Sequence, residues 1–452
     1  MRHKRRIRSS IGSLAALALL LAACDGAAVD DDVDADADLD EVEDDADDDA
    51  DDTDDDDADE DDADDGDVDE DAGGTVTVGL INPLTGPFAA LGEDVNAGFE
   101  MYVDENDGQL AGFDVEILSE DTANDTAIAI EGIERMLDQG ADVLVGFVNS
   151  GVTYGASEVI RDEGVPLVIT TAGADDLTQR DASDSIFRIS YTSSQDSMPL
   201  GDYACNELGY ETISMIGLDY AFGWEAAGGF AMAYEDAGCE VIQELYAPLD
   251  TPDWAPFVQQ IDDEADAVWA VIAGADAIRF LQSYNDFGVD LPLIGHGSTT
   301  DEQVLDEQQE LAEGVITSLH YTAVIENEYN DAFREAFEAE YGTTVSQYSD
   351  NGYTAAMAIE AALENAGASD SDAIVDALGD VELPEAPRGM TYFDEYGQAV
   401  YPVYIREAVE QDGRWVNQVL DVYEDVSQFW DYDPDEFMSG EPLEERRGTW
   451  AD

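Results

Sequence analysis

Positive charge is the scarcest property of this sequence. Its 452 residues include 16 Lys or Arg against 109 Asp or Glu, which gives a formal net charge of −93. Such a chain repels DNA and RNA, because phosphate contacts dominate the affinity of proteins for nucleic acids. Nucleic acid is therefore excluded as a partner.

Histidine and cysteine are also rare, with three of each. Histidine-based catalysis has few candidates, and no His/Cys group has the spacing of a metal site. The sequence also lacks a Gly-rich phosphate loop followed by Lys-Ser/Thr and a G-x-S-x-G motif. We therefore predict that the chain is not an enzyme and takes no metal or other cofactor. A catalytic carboxylate pair among so many acids stays open as an alternative.

The first 24 residues have the pattern of an export signal. Five basic residues within the first eight precede an apolar run at 11–23, which is too short to span a bilayer permanently. The run ends Leu21-Ala22-Ala23-Cys24, which resembles the lipobox of bacterial lipoproteins. The resemblance implies that Cys24 receives the lipid and holds the protein on the extracytoplasmic face of the cell membrane. Ordinary cleavage at Ala23, with Cys24 left as a free thiol, is the alternative.

Residues 25–72 hold 31 Asp or Glu and no Lys or Arg. Because such a segment has little to bury and repels itself, we predict a disordered tether between the lipid and the folded body. The carboxylates near Gly66 do not have the alternating spacing of an EF-hand loop, so no specific metal site is predicted there.

The body, residues 73–452, carries 78 acidic and 11 basic residues, a net charge of −67. This balance resembles that of proteins from salt-loving organisms. At about 1 M salt the Debye length is only ~3 Å, so the self-repulsion is screened. The body is too long for one ordinary domain and suits two lobes.

From Thr75 onward, short apolar runs alternate with amphipathic stretches, which predicts βα units around parallel sheets. The runs are rich in Val, Ile and Leu, as expected of strands buried on both faces. Strands are predicted at 75–81, 113–119, 142–147, 166–170, 212–217, 240–245, 266–272, 291–295 and 314–318, with later ones at 389–394, 398–405 and 413–419. Two further helices are predicted at 327–341 and 350–366.

Cys205 and Cys239 each lie shortly before a predicted strand of one sheet, at its N-terminal edge. An exported protein is allowed disulfides. A bridge between the two residues and a pair of free thiols are both compatible with this placement.

Several segments resemble the leucine/isoleucine/valine-binding proteins in order and spacing. The opening TVTVGLINPLTGPFAALGEDVNAGFEMYVDEND combines a strand, a P-L-T-G-P turn and a helix. Asp121-Thr122, DVLVGFVNSGVTYGASEVIRDEGVPLVIT, TTAGADDLTQ, IFRISYTSSQ and a G-W-E helix start at 223–225 follow in turn. The resemblance covers residues 75–420.

This resemblance implies an α/β fold of the type I periplasmic-binding kind, with three hinge crossings. Each of its two lobes is a parallel sheet flanked by helices. The solute-binding domain is placed at 73–452. Lobe 1 is expected at about 75–191 and 322–388, and lobe 2 at about 192–321 and 389–430.

The implied function is that of an extracytoplasmic solute-binding protein of an ABC importer, with a membrane permease as partner. It captures a small carboxylate solute between the lobes. The first candidate for this solute is a branched-chain or other amino acid. An aromatic carboxylate or amide comes second, because TTAGADDLTQ and AGADAIRFLQSYNDFG resemble a subgroup that binds aromatic carboxylates. A ligand-sensing receptor module or an enzyme is the remoter alternative.

Ligands of open α/β sheets gather at the carboxyl ends of the strands. Ser150 stands where the family has its ligand-carboxylate serine, at the predicted start of a helix whose free N–H groups suit an anion. A simple N-cap serine is the alternative. The remaining predicted ligand-binding residues are Phe88, Leu91, Asn149, Thr171 and Ala172 from lobe 1, and Tyr220, Phe222, Gly274 and His296 from lobe 2.

Recognition of a ligand ammonium departs from the family pattern. Branched-chain binders hold this group with an acidic residue after the strand that corresponds to 291–295. In this chain a small residue, about Gly297, stands there, and Asp301 is the nearest carboxylate. Leu91 likewise replaces a polar aromatic lining residue of lobe 1.

Overall fold

The computed structural model describes residues 73–451. The predicted export signal at 1–24 and the predicted tether at 25–72 lie outside the described residues. Within 73–451 no helix combines the length and the apolar character needed to cross a membrane.

The first sheet has six strands in the order β2-β3-β1-β4-β5-β6, parallel except for β2. Its strands are β1 (Thr75–Asn82), β2 (Gln109–Leu110), β3 (Phe113–Asp121), β4 (Val143–Gly146), β5 (Leu167–Ile169) and β6 (Ile186–Arg188). The central strands are buried on both faces, as their Val/Ile/Leu content predicts. This sheet and the helices that cover it form lobe 1.

The second sheet is mixed, and with its helices it forms lobe 2. Its strands are β7 (Thr212–Leu218), β8 (Glu240–Ala247), β9 (Ala267–Val271), β10 (Leu293–His296), β11 (Ile316–Leu319), β12 (Glu382–Leu383), β13 (Thr391–Phe393), β14 (Ala399–Gln411) and β15 (Arg414–Val426). Strands β11-β10-β9-β7-β8 run parallel, whereas β12 to β15 pair antiparallel. The sheet is therefore not purely parallel as predicted, because short turns join its last strands as hairpins.

The helices are α1 (Ala89–Glu105), α2 (Thr126–Asp138), α3 (Ser150–Glu163), α4 (Met198–Asn206), α5 (Ala221–Asp236), α6 (Ala255–Val258), α7 (Ala275–Asp286), α8 (Glu302–Gln308), α9 (Glu328–Tyr341), α10 (Gln347–Ala366), α11 (Ser371–Leu378) and α12 (Pro434–Ser439). The chain passes between the lobes three times, after β6, after β11 and after α11, as the two-lobed fold requires. These crossings place the ends of β6 and β11 beside the cleft.

Two glycines bring α1 and α10 into close contact in lobe 1. A Cβ on Gly98 would lie 1.9 Å from the Ser349 carbonyl oxygen, and one on Gly352 would lie 2.0 Å from that of Val95. Any larger residue at either position would push the helices apart. This contact fixes the N-terminus of α10 beside the cleft.

A disulfide joins Cys205, at the end of α4, to Cys239, just before β8, with 6.0 Å between the Cα atoms. The structure thus contains the bridge, and not the pair of free thiols. Because both cysteines lie at the amino ends of strands, the bridge is at the opposite end of the sheet from the cleft.

Candidate ligand-binding site

The two lobes approach each other closely at Gly274 and Phe88. A Cβ placed on Gly274 would lie 3.8 Å from the Pro87 carbonyl oxygen and 3.9 Å from the Phe88 ring. Gly274 also has a φ of 60°, in the left-handed region that favours glycine. Both predicted residues therefore lie where the lobes meet.

Ser150 is the first residue of α3 and is only 1% exposed. The helix is capped by Asn149, whose side-chain oxygen accepts the N–H groups of Gly151 at 2.9 Å and Val152 at 3.2 Å. The alternative of a simple cap therefore applies to Asn149, and Ser150 is free of that role. Within residues 73–451 the Ser150 hydroxyl makes no hydrogen bond, so it can donate to an anion at the helix N-terminus.

Thr170 and Thr171 follow β5, beside the start of α3. Both hydroxyl groups are buried and lack a hydrogen-bond partner in the described part of the chain. Ala172 differs, because its N–H donates to the Phe147 carbonyl at 3.0 Å and its side chain belongs to the core of lobe 1. The structure thus offers two hydroxyl groups here, whereas the amide of Ala172 is already engaged.

His296 ends β10 and is fully buried. Its Nδ1 lies 3.1 Å from the backbone nitrogen of Ser298. Because a backbone N–H can only donate, Nδ1 accepts and the proton of the neutral ring stands on Nε2. Nε2 is buried and has no partner among residues 73–451. Burial lowers the pKa of His296 to about 3, so the ring stays neutral at physiological pH.

Aromatic rings from both lobes surround His296. The Tyr191 ring lies 5.0 Å from the imidazole and the Phe222 ring 5.1 Å from it, both edge-on. Tyr220 in turn contacts Phe222 at 6.0 Å. Tyr191 is not among the predicted residues, because the strand β6 that precedes it has only three residues and is too short to show a hydrophobic period in the sequence. The carboxyl-end rule would have selected it once that strand was recognised.

A further apolar surface is formed mainly by lobe 1. Tyr348 at the start of α10 packs there with Phe88, Leu91 and Val148, and Tyr220 of lobe 2 packs against this group. Phe88, Leu91 and Tyr220 are predicted site residues that the structure brings together. Tyr348 is a residue that sequence reasoning missed. Only the Ser346 capping box marks the start of its helix.

The position of the family's ammonium-binding acid is closed to larger residues. A Cβ on Gly297 would lie 2.5 Å from the Cβ of Leu319 and 2.7 Å from a guanidinium nitrogen of Arg406. Asp301 is buried, and its oxygens accept the backbone N–H groups of Gln303 at 3.0 Å and Gln347 at 3.4 Å. Burial raises the pKa of Asp301 to about 7. Neither position supplies a free carboxylate.

The site therefore combines unpaired hydrogen-bond donors with aromatic and apolar walls. The donors are the hydroxyl groups of Ser150, Thr170 and Thr171 and the Nε2–H of His296. No group of three or more His, Cys, Asp or Glu side chains in 73–451 is arranged to hold a metal ion. The arrangement suits non-covalent capture of a compact anion with an apolar body.

Comparisons with known proteins identify the family of the chain. A family model described as periplasmic binding protein matches residues 75–414. Leu/Ile/Val-binding protein homolog 6 of Brucella melitensis is 28% identical over 361 residues, covering 77% of this chain and 92% of that protein.

Two solved structures extend the comparison. An ABC transporter substrate-binding protein from Sphaerobacter thermophilus has a TM-score of 0.75 at 30% identity, covering 78% of this chain and 99% of its own. A solute-binding protein of an ABC transporter from R. palustris, in complex with benzoate, has a TM-score of 0.73 at 27% identity. The match covers 78% of this chain and 98% of the R. palustris chain. The predicted fold class and family are confirmed. The chain belongs to the periplasmic binding protein family, of the leucine/isoleucine/valine-binding type.

Proposed function

We propose that this chain captures a small carboxylate between its lobes and delivers it to an ABC permease on the extracytoplasmic side of the membrane. The observation that carries this proposal is a set of buried donors: the Thr171 hydroxyl and the His296 Nε2–H, which lack a partner in the described residues, and the Ser150 side chain, which is 1% exposed. A buried donor without a partner costs about 1–3 kcal/mol, and a carboxylate supplies the acceptors that offset this cost. Attachment of lipid at Cys24 keeps the protein near its permease.

An aromatic carboxylate fits this site better than an amino acid does. The rings of Tyr191 and Phe222 offer flat apolar surfaces, whereas Gly297 and Asp301 offer no free carboxylate for an ammonium. The benzoate complex of the R. palustris protein supports this order of ligands. This order of ligands reverses the one predicted from the sequence, which placed an amino acid before an aromatic carboxylate.

An amino acid remains the second candidate, since the Brucella relative bears the name Leu/Ile/Val-binding protein homolog. In either case, contacts from both lobes stabilise the closed state. Solute binding then shifts an open–closed equilibrium, and the permease recognises the closed form.

A thermal-shift and calorimetric screen in about 2 M salt separates these ligands. Benzoate should raise the melting temperature, because a ligand at 100 times its Kd adds about 2.7 kcal/mol of stability. Benzamide has the same ring without the charge and serves as the matched control. Binding of leucine in place of benzoate would select the amino acid. Failure of every carboxylate to bind would refute the proposed function.

A further inference from the structure

A second contact between the lobes lies one helical turn from the aromatic rings. Glu225 follows Phe222 on α5 of lobe 2 and is 2% exposed. Its Oε1 accepts the Tyr154 hydroxyl of α3 at 3.1 Å and the backbone N–H of Asp175 at 3.2 Å. Both donors belong to lobe 1. A single carboxyl oxygen of one lobe thus holds two segments of the other.

The second oxygen of Glu225 has an unusual environment. Glu225 Oε2 and Asp175 Oδ2 are both buried, and neither has a hydrogen-bond partner within the described residues. Asp175 Oδ1 accepts the Ser194 N–H at 3.2 Å, so only its Oδ2 is left over. Two buried acceptors without a donor are costly. The Ser193 hydroxyl faces Glu225 and can supply one donor. A proton on one of the two carboxyl groups supplies another and removes one of the two buried charges.

The charges around the pair lead to the same conclusion. Among residues 73–451, Arg188 is the one buried cation that faces the Glu225–Asp175 pair. Its guanidinium donates to the carbonyls of Gly173 and Ala174. Asp176 is already paired with Arg180 at 2.6 Å. Glu444, from the short 3-10 helix Leu443–Arg446 that packs on α5, adds negative charge.

One buried cation cannot neutralise two buried carboxylates. A buried group in that position takes up a proton and becomes neutral. Burial raises the pKa of Glu225 well above its ordinary value, and the charge of Asp175 adds to the rise. Burial likewise raises the pKa of Asp175 to about 7. The Tyr154 hydroxyl stays protonated, since burial raises its pKa as well.

We propose that closure of the lobes takes up a proton at the Glu225–Asp175 pair, so that solute affinity is linked to pH. This inference rests on the proposed solute-binding function. When the lobes separate, Glu225 loses Tyr154 and Asp175 and meets water, where a carboxyl group is ionised at neutral pH.

The sign of the effect follows from the higher pKa in the closed state. Low pH favours closure. The contribution of the bound proton to the stability of the closed state is fully present below the ordinary carboxyl pKa. It is lost as pH rises through the raised values. Solute affinity should therefore fall as pH is raised through neutrality.

Calorimetric titration of the full chain at about pH 6 and about pH 9 tests this inference, with benzoate or leucine, whichever binds. We expect the Kd to rise at least about tenfold between these values, with proton uptake measured from buffers of different ionisation enthalpy. Glu225→Gln keeps an acceptor for the Tyr154 hydroxyl and the Asp175 N–H and removes the ionisable group. Its Kd should rise less than that of the wild type between the two pH values, and its proton uptake should be smaller, because Asp175 and Asp301 are the titrating groups that remain. Glu158→Gln on the exposed face of α3 is the matched control and should behave as the wild type.

Equal pH dependence of the Kd in wild type and Glu225→Gln would overturn the proposal. Melting of the ligand-free proteins at the same pH values provides a second measurement. If neither solute binds, the proposed function fails, and the inference still depends on this melt. A steeper loss of melting temperature with pH in the wild type supports the protonated contact, whereas equal slopes refute it. If Glu225→Gln does not fold, Asp175→Asn removes the same charge and gives the same test.

Discussion

The backbone N–H of Ser298 points at Nδ1 of His296 over 3.1 Å and thereby decides which ring nitrogen carries the proton. The proton stands on Nε2, where the rings of Tyr191 and Phe222 flank the imidazole. Because burial lowers the pKa of His296 to about 3, this donor does not change between mildly acidic and mildly basic conditions. Any pH dependence of binding near neutrality therefore originates elsewhere.

Replacing His296 with Phe should weaken binding and leave its pH dependence unchanged. The ring contacts with Tyr191 and Phe222 persist, but the Nε2–H is lost. A hydrogen bond to a charged acceptor contributes about 1.5–3 kcal/mol, so the Kd should rise by about ten- to a hundredfold. Calorimetry measures the change. An unaltered Kd for His296→Phe would remove His296 from the site.

Ser150 and Asn149 form a matched pair for a second test. Ser150→Ala removes a donor at the helix N-terminus, so the Kd should rise by about ten- to a hundredfold while the melting temperature stays nearly constant. Asn149→Ala removes the cap and should cost about 0.5–2 kcal/mol of stability. Titration and melting of both variants separate the two roles. A destabilised Ser150→Ala protein with wild-type affinity would contradict this assignment.

The larger strands were predictable because each combines a Val/Ile/Leu-rich run with a following helix. The predicted strands up to β11 lie within about two residues of their predicted bounds, whereas β14 and β15 extend six and seven residues beyond their predicted ends. β2, β6 and β12 are too short to have a period. The helix predicted at 350–366 begins at Gln347, because Ser346 forms a capping box with Ser349. That motif replaces the expected Glu or Gln by Ser and so escapes the usual pattern.

The candidate site was predictable where residues follow a recognised strand or, as for Phe88 and Leu91, where the family resemblance marks them. His296 and Ser150 satisfy the first condition, whereas Tyr191 follows an unrecognised strand and Tyr348 begins a helix. The Glu225–Asp175 contact joins residues 50 positions apart across two lobes. No local pattern encodes such a pair, since it depends on how the lobes close.

The disulfide should stabilise the fold without affecting the site. It closes a loop of 34 residues, for which chain entropy predicts about 3–4 kcal/mol. The double variant Cys205→Ser/Cys239→Ser should melt at a lower temperature and keep its Kd, because the bridge is remote from the cleft. A reductant should lower the melting temperature of the wild type alone. A reductant effect of equal size on both proteins would point to another cause.

The predicted anchor is tested by fractionation. Cys24→Ser should move the mature protein from the membrane fraction to the soluble fraction, because the lipid attachment point is gone. Deletion of 25–72 with Cys24 retained serves as the control and should stay on the membrane with unchanged affinity. Retention of Cys24→Ser on membranes after a high-salt wash would contradict the lipoprotein prediction.

Salt dependence is the last test, and it concerns the whole body. Of the 11 arginines after residue 72, Arg188, Arg388 and Arg406 are fully buried and bond to groups inside the protein. Seven Asp or Glu side chains are buried as well, so the rest of the body keeps 71 acidic residues against eight arginines. As salt falls from molar to millimolar, the Debye length grows from about 3 Å to tens of ångströms, and these charges repel one another.

The melting temperature should then fall by something on the order of 10 °C, since losses of a few kcal/mol shift the melting of a body of this size by several degrees. Sucrose at matched osmolality is the control, because it favours compact states without screening charge. A loss restored by KCl and not by sucrose assigns the effect to charge repulsion. A melting temperature that does not vary with salt would reject the halophilic prediction, while the fold and the candidate site would stand on their own contacts.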